Sequence, residues 1–165
     1  MGGIDLDPAT TKAVNDRIKA KKFYTKQDNG LLKEWKGRVF LNPPGGRIDS
    51  NMCKPVKHGG MSSAKFWWDK LSLAYEDGKV TQAIFIAFSM ELLQTSQIGL
   101  DRAATEYPIC IPRRRIAFDQ YVKGKFTATT GPTHANAIIY LGPNKEDFAL
   151  NFQEFGSIMV PCELI

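Results

Sequence analysis

Residues 82–88, Gln82-Ala83-Ile84-Phe85-Ile86-Ala87-Phe88, are the stretch that decides the fold. The run is almost continuously apolar, which is typical of a β-strand buried on both faces rather than one with a wet face. Upstream of it, apolar residues at helical spacing predict an amphipathic helix that begins at Ser62 or Ser63 and ends near Glu76. A buried strand that follows an amphipathic helix indicates a layered α/β arrangement.

A second apolar run ends in a polar tip. Arg38-Val39-Phe40-Leu41 is followed directly by Asn42-Pro43-Pro44. Each proline fixes its φ angle at about −65° and lacks an N–H, and Pro43 also restricts Asn42 to extended conformations. The result is a rigid hydrogen-bond acceptor site, which suits an exocyclic amino group with two N–H bonds. The simpler interpretation is a strand that ends in a proline-stiffened turn, because a short motif needs its context.

The remaining segments alternate between the two kinds of element. We expect strands at 4–7, 23–24, 39–41, 109–118 and 135–141, helices at 10–20, 90–98 and 146–155, and a last strand or a tail at 158–160. Residues 45–60 are rich in Gly, Pro, Lys and Asn without periodicity, which predicts a long mobile loop. The alternation predicts a single α/β domain, residues 1–165, with a largely parallel sheet. Because ligands bind at the carboxyl ends of such strands, Asp7 and Asn42 are expected to face one crevice.

Composition sets the class of protein. The chain has 165 residues, 43% of them hydrophobic and 24% charged, as in one globular domain. It contains neither a run of about 20 apolar residues nor a secretory signal, so we expect no membrane association. Cys53, Cys110 and Cys162 are widely separated, which favours free thiols in a reducing cytoplasm, and two histidines argue against a zinc site. The net charge of +5 favours acidic partners, nucleic acid first.

An ordered series of motifs resembles the phage-type DNA N6-adenine methyltransferases of the Dam family. The segments that carry the resemblance are Ile4-Asp5-Leu6-Asp7-Pro8-Ala9, Phe23-Tyr24-Thr25, Asp28-Asn29-Gly30-Leu31, Trp35, Val39-Phe40-Leu41-Asn42-Pro43-Pro44, Lys65-Phe66-Trp67-Trp68, Gln82-Ala83-Ile84-Phe85 and Pro132-Thr133-His134-Ala135-Asn136. Members of this family transfer a methyl group from S-adenosylmethionine to the N6 amine of adenine in DNA, on a Rossmann-like fold. The resemblance implies a bacterial cytoplasm, with the gene carried by a phage, a prophage or the host.

The resemblance also implies roles for individual residues. Asn42, Pro43 and Pro44 correspond to the catalytic motif, in which the Asn42 side-chain oxygen and the Pro43 carbonyl would bind the adenine amine. The residues implied for the cofactor S-adenosylmethionine are Asp5, Asp7, Pro8 and Asp28. Asp7 would orient the methionine amino group of the donor or hold the binding loop, although an Asp-Pro pair is also an ordinary turn. The chain lacks a glycine-rich turn after the first strand, and we expect a minimal or N-terminally truncated version of the fold.

One position departs from the family pattern. Most amino-methyltransferases of this kind have an aromatic residue after the two prolines, where it stacks on the flipped base, but here the position is Gly45. Such stacking contributes about 1–3 kcal/mol per base. Phe66, Trp67 and Trp68 are candidates to replace it. Adjacent helical side chains point about 100° apart, so we expect one of the two Trp rings to be at least partly exposed, either on the base or at the edge of the core.

Basic residues suggest where DNA would bind. Methylation of a base requires that the nucleotide leave the duplex. Arg47 and Lys57, together with Lys54 and His58, lie close in sequence to the proline motif, and Arg113-Arg114-Arg115 forms a second cluster. Both clusters could contact phosphates, although a basic run is also typical of an ordinary solvated face. For His134 we expect a structural role at the start of a strand.

Two alternatives to adenine methylation remain open. The chain could be a catalytically silent DNA-binding protein that keeps the fold, which Gly45 favours. It could also methylate a different amine, since Asn-Pro-Pro sites resemble those that act on the amine of cytosine or on protein glutamine.

Overall fold

The computed structural model of the chain describes residues 2–94, residue 100 and residues 102–162. The α-helices are α1 (Lys12–Ile18), α2 (Ser63–Glu76), α3 (Ala103–Glu106) and α4 (Lys145–Phe152), with short 3-10 helices at Gly30–Leu32 and Met90–Leu93. The strands are β1 (Leu6–Asp7), β2 (Lys22–Phe23), β3 (Gly37–Leu41), β4 (Arg47–Asp49), β5 (Lys54–Val56), β6 (Met61–Ser62), β7 (Val80–Ala87), β8 (Ile109–Pro112), β9 (Asp119–Val122), β10 (Lys125–Ala128), β11 (Ala137–Leu141) and β12 (Gly156–Met159).

Seven of these strands form one mixed sheet in the order β12-β8-β11-β7-β3-β1-β2. Strands β2, β1, β3 and β7 run parallel to one another. Strand β11 is antiparallel to its neighbours β7 and β8, and β12 is antiparallel to β8. The predicted α/β class is therefore confirmed, whereas the predicted parallel arrangement holds for only one half of the sheet.

The core lies on both faces of β7, as the apolar run 82–88 predicts. On one face Trp68 of α2 packs edge-on against Phe85, with ring centroids 5.2 Å apart. On the opposite face Tyr140 of β11 stacks on Phe148 of α4, with centroids also 5.2 Å apart. Burial of each such side chain contributes about 1.5–3 kcal/mol. Helices α2 and α4 thus cover opposite faces of the sheet, while the ends of its strands are not covered by these helices.

Strand order reverses at β1. The chain passes from β1 outward to β2 and then returns to the other side of β1 to form β3. Leu6 pairs with Val39 in parallel register, so the carboxyl ends of β1 and β3 open on the same edge. Ligands of open α/β sheets bind in the crevice at such a reversal. Asp7 ends β1 and Asn42 follows β3, which confirms that both lie at strand ends.

Residues 45–60 are not the structureless loop that their composition predicts. Strands β4 and β5 lie within this segment and form a separate three-stranded antiparallel sheet with β6. Ile48, in the middle of β4, is 3% exposed and packs into the main core. The Asp49 carboxylate accepts the backbone N–H groups of Asn51 and Met52 and closes the turn between β4 and β5. Strands this short carry too little periodicity to be detected in the sequence.

A hairpin of β9 and β10 is a second unpredicted feature. The strand predicted at 109–118 ends at Pro112, where the chain leaves the main sheet. The hairpin lies against α1, because Arg17 pairs with Asp119 at 2.8 Å and places its guanidinium 3.3 Å from the ring centroid of Phe126.

The other predicted helices are shorter in the structure. The helix predicted at 146–155 is α4, which ends at Phe152. Of the helix predicted at 90–98, Met90–Leu93 is a 3-10 helix, and residues 95–99 lie outside the described ranges. Over the part of the chain that is described, no helix combines the length and apolar character needed to cross a membrane.

Candidate active site

The tip of β3 presents Asn42-Pro43-Pro44 at the carboxyl edge of the sheet. Pro43 is buried, whereas Asn42 and Pro44 are exposed. Within residues 2–94, 100 and 102–162, no hydrogen bond engages the Asn42 side chain or the Pro43 carbonyl oxygen. The two acceptors that the sequence predicts for an amine therefore bind no donor from the described part of the chain.

Helix α2 anchors the chain that follows the prolines. Ser63, the first residue of α2, is 1% exposed. Its hydroxyl donates a hydrogen bond to the Pro44 carbonyl at 2.5 Å, and its backbone N–H donates to the Gly46 carbonyl at 2.9 Å. A Cβ added at Gly45 would meet no atom within 4 Å. The backbone is therefore fixed, while the space beside Gly45, the position where the resembled family has an aromatic ring, is open.

Asp7 is buried at the carboxyl end of β1, with 3% of its surface exposed. Burial raises the pKa of its carboxyl from 3.8 to about 6, against the opposing effect of a hydrogen bond from the Ala9 backbone N–H at 3.1 Å. The nearby Thr10 hydroxyl also lowers this pKa, although its buried oxygen has no hydrogen-bond partner within 3.5 Å. Of the two roles that the resemblance implies for Asp7, this geometry fits the one that holds the binding loop.

Pro8 contacts the Asp-Asn-Gly-Leu segment directly. A Cβ at Gly30 would collide with the Pro8 carbonyl oxygen, so only glycine allows the two backbones to approach this closely. The neighbouring Asn29 has a φ of +51° and donates from its side-chain amide to the Cys53 carbonyl at 3.0 Å. The structure thus joins three segments that are distant in sequence: the end of β1, the turn at 28–31 and the small sheet of residues 47–62.

The other two carboxylates predicted for the cofactor have structural partners. Asp28 is exposed and accepts hydrogen bonds from the Thr25 hydroxyl at 2.7 Å and backbone N–H at 2.8 Å, which lower its pKa. Asp5 pairs with Arg38 at 2.9 Å and with Lys21 at 2.8 Å, and these contacts hold its pKa well below the usual range. Because Asp5 lies at the amino ends of β1 and β3, opposite Asn42, it does not fit the cofactor role that the resemblance implies.

The expectation that one Trp ring of α2 is partly exposed is wrong. Trp67 is 5% exposed and Trp68 is 0% exposed. Trp67 stacks on Trp35 with centroids 5.7 Å apart, while Trp68 packs between Phe85 and Tyr107. Both rings are buried because α2 is covered on two adjoining sides, so neither can stack on a base without unfolding the helix.

The basic residues predicted to bind DNA differ in their hydrogen bonds to the protein and in their positions. Arg47 and Lys57 are both exposed, but the Arg47 guanidinium donates hydrogen bonds to the Gly59 and Gly60 carbonyls and so closes the small sheet. Arg113, Arg114 and Arg115 follow β8 and are all exposed. Since β8 and β7 point the same way, this cluster lies at the same edge of the sheet as Asn42, on a strand that is three strand spacings, or about 14 Å, from β3.

Two cavities lie near these elements. The larger, of about 450 Å³, is bordered by α2 and by Leu31, Trp35 and Cys53. There the Lys70 ammonium lies 5.2 Å from the centroid of a Trp35 ring, and burial lowers the pKa of Lys70. The smaller, of about 200 Å³, borders the tip of β3 through Gly46. Neither cavity is lined by Asp7 or Asn42 themselves.

The smaller cavity contains residues that sequence reasoning did not assign to a site. Phe88 and Ser89 follow the carboxyl end of β7, and His134 precedes β11. The sequence does contain a signal, because Phe88 is the last residue of the buried apolar run 82–88 and therefore lies at a predicted strand end. In the described ranges, no group of three or more His, Cys, Asp or Glu side chains is arranged to hold a metal ion.

The fold and the edge together define a mixed α/β protein with a polar acceptor tip at a strand-order reversal. Compared with models of protein families, with curated proteins and with solved structures, the chain matches none. The case for a function therefore depends on the geometry of this edge and on the motif resemblance.

Proposed function

We propose that this chain is an S-adenosylmethionine-dependent methyltransferase that acts on the N6 amine of adenine in DNA. The observation that carries the proposal is the tip of β3, where the exposed Asn42 side chain and the Pro43 carbonyl accept no hydrogen bond from the described residues. These are the two acceptors that an NH₂ group requires, and they lie at a strand-order reversal, where ligands of α/β sheets bind.

The chemistry follows from these acceptors. When bound, S-adenosylmethionine supplies a methyl carbon attached to a sulfonium. Asn42 and Pro43 bind the two N–H bonds of adenine and localise the nitrogen lone pair for attack. Oriented dipoles of this kind stabilise the positive charge that develops on nitrogen as the N–C bond forms and the C–S bond breaks. The extra proton then leaves the nitrogen for water, so the products are N6-methyladenine and S-adenosylhomocysteine, and no strong base is needed.

In this proposal the donor binds at the carboxyl end of β1, next to the strand-order reversal. The buried Thr10 hydroxyl has no hydrogen-bond partner within 3.5 Å among the described residues, although it is near enough to Asp7 to lower the pKa of that carboxyl, and it is the polar side chain that a bound donor would contact here. The close contact between Pro8 and Gly30 fixes the backbone on which the donor would lie. In this proposal Asp7 and Pro8 shape the donor-binding loop, and Asp28 stabilises the adjoining turn.

DNA as the substrate is supported by charge. The net charge is +5, and Arg113, Arg114 and Arg115 are exposed at the same edge as the acceptor tip. Cations that flank a base pocket can hold the phosphates on either side of an extruded nucleotide. The same tip would serve the amine of cytosine or of a protein glutamine, so the acceptor has to be identified from the product.

The test is transfer of a radiolabelled methyl group to plasmid DNA that lacks adenine methylation, followed by identification of the labelled nucleoside. We expect N6-methyladenine from the wild type, and a rate about 10²–10³-fold lower for Asn42→Ala, the loss typical of removing one electrostatic contact to the transition state. Asn151→Ala is a matched control, since Asn151 lies on α4, which covers the face of the sheet opposite α2. An Asn42→Ala enzyme as fast as wild type would refute the assignment.

A catalytically silent DNA-binding protein is the second candidate, and two observations favour it. Asp7 is buried rather than exposed to a ligand, and Gly45 provides no ring. Thermal denaturation with S-adenosylmethionine separates the two candidates. A ligand at 100 times its Kd stabilises the folded state by about 2.7 kcal/mol, whereas a silent protein that binds no donor shows no shift.

A further inference from the structure

Phe88 and His134 form an aromatic pair at the carboxyl edge of the sheet. Their ring centroids are 6.0 Å apart and the ring planes meet at 82°, the edge-to-face geometry that aromatic pairs prefer. Phe88 is half-buried and His134 is exposed. The Phe88 ring is therefore supported by the core, while the His134 ring is accessible to a ligand.

The backbone beneath this pair is held firmly by Asn136, which is 4% exposed. Its side-chain amide donates to the Phe88 carbonyl at 2.9 Å, and its side-chain oxygen accepts the Ile116 N–H at 2.8 Å. A backbone hydrogen bond from Met90 to the Ala135 carbonyl, at 2.8 Å, closes the same corner. The two rings are thus pre-positioned by buried hydrogen bonds rather than carried on a free loop.

The pair lies beside the acceptor tip. Leu41, the last residue of β3, pairs with Phe85 in parallel register, so Asn42-Pro43-Pro44 and Phe88 follow their strands at the same edge of the sheet. Both rings border the cavity of about 200 Å³, whose other side is formed by Gly46 and Arg47. This volume is below the roughly 300–1,000 Å³ of a pocket for a drug-sized ligand, and it suits a single flat group.

We propose that Phe88 and His134 form the aromatic wall that receives the target base, in place of the ring that is missing at Gly45. This inference rests on the proposed function. A base extruded from DNA would enter between the ring pair and the glycines, in the open space where a Cβ at Gly45 or Gly46 would meet no atom within 4 Å. Its amine would then reach the acceptors at Asn42 and Pro43. The wall thus takes the stacking role for which the sequence offers Phe66, Trp67 and Trp68 as candidates.

The experiment compares four variants by methyl transfer to plasmid DNA that lacks adenine methylation. Phe88→Leu and His134→Ala should each lower kcat/KM by roughly 5- to 150-fold, which corresponds to the energy of one base–aromatic contact. Phe88→Tyr and His134→Phe, which keep a ring, should remain within about threefold of wild type, since ring stacking tolerates a change of ring. Because Phe88 packs against the core, a ring would also rescue a purely structural role there, so the discriminating comparison is His134→Ala against His134→Phe at the exposed position.

The controls separate this inference from the proposed function. The thermal shift caused by S-adenosylmethionine should be unchanged in His134→Ala, whose side chain is exposed and can be removed without opening the core. If the wild type methylates adenine but Phe88→Leu and His134→Ala retain full kcat/KM, the aromatic wall is refuted and the proposed function stands. If Phe88→Leu does not fold, the kcat/KM of His134→Ala compared with that of His134→Phe tests the aromatic wall without it. If the wild type transfers no methyl group to DNA, both fail together.

Discussion

The Ser63 hydroxyl donates a hydrogen bond to the Pro44 carbonyl across 2.5 Å, and this contact joins the first turn of α2 to the tip of β3. The two residues are 19 positions apart in sequence, with the small sheet of residues 47–62 between them. Ser63 is buried, so its hydroxyl has no alternative partner in bulk water. The contact therefore holds the proline tip against helix α2.

Replacing Ser63 with alanine should lower the free energy of unfolding by about 1 kcal/mol, the usual contribution of one intramolecular hydrogen bond. Methyl transfer should fall as well, because the tip loses its anchor. Ser62→Ala is the matched stability control, since the Ser62 side chain makes no capping hydrogen bond to α2 and its removal should cost less than about 0.5 kcal/mol. Urea denaturation measures both. Equal stabilities for the two variants would show that the Ser63–Pro44 contact contributes nothing.

Variants of Trp67 test whether its side chain stabilises the core or stacks on a base of DNA. Its indole Nε1 is buried without a hydrogen-bond partner in the described structure, so phenylalanine reduces the buried area but removes no hydrogen bond. We expect Trp67→Phe to cost about 1–2 kcal/mol of unfolding free energy and Trp67→Ala to cost about 3–5 kcal/mol. Affinity for single-stranded DNA should be the same for the folded Trp67→Phe variant and the wild type. If the folded Trp67→Phe variant binds single-stranded DNA more weakly than the wild type does, Trp67 is part of the DNA-binding surface.

Trp67 also shows which features can be predicted from the sequence and which cannot. The buried strand at 82–88, the helix at 63–76 and the acceptor tip at Asn42 were predictable, because periodicity and proline chemistry act locally. The burial of both Trp67 and Trp68 was not, since it depends on Trp35 and Tyr107, which approach α2 only in the folded chain.

Other features also could not be predicted from the sequence, because they depend on contacts between distant segments or on very short strands. The ion cluster of Asp5 with Arg38 and Lys21 forms only when β1 and β3 pair, so sequence alone could not separate Asp5 from Asp7. The cleft at Phe88 and His134 joins residues 46 positions apart through the pairing of β7 with β11. The small sheet and the β9–β10 hairpin consist of strands of two to four residues, which are too short for a periodic signal.

The arginine cluster that follows β8 predicts a salt effect. Replacing Arg113, Arg114 and Arg115 with glutamine should weaken binding to random-sequence duplex DNA and reduce the slope of log Kobs against log salt by up to about 3, close to 0.9 for each phosphate that is no longer neutralised. Arg114→Gln alone should reduce the slope by about 0.9. Lys145→Gln is the control of equal charge, because Lys145 begins α4 at the opposite edge of the sheet. Equal slopes for Arg114→Gln, Lys145→Gln and wild type would exclude phosphate binding by Arg114.

Asp7 predicts how stability depends on pH. Burial raises the pKa of its carboxyl to about 6 in the folded state, whereas an unfolded chain has the ordinary value of 3.8. Between these values the folded protein binds the proton more tightly, so the stability that Asp7 contributes is complete below about pH 4 and is lost as the pH rises through 6. A shift of about two pKa units corresponds to roughly 3 kcal/mol. The free energy of unfolding should therefore fall by about that amount between pH 4 and pH 7, apart from the effects of other groups.

Asp7→Asn isolates this effect, because an amide oxygen can still accept the Ala9 N–H but cannot ionise. The difference in unfolding free energy between wild type and Asp7→Asn, measured by urea denaturation at each pH, should change by roughly 3 kcal/mol from pH 4 to pH 7, with the variant gaining relative stability at the higher pH. Parallel curves for the two proteins would mean that Asp7 titrates normally. The Asp7 carboxylate would then be hydrated rather than buried, and the role of holding the loop after β1 would pass to the Pro8–Gly30 contact alone.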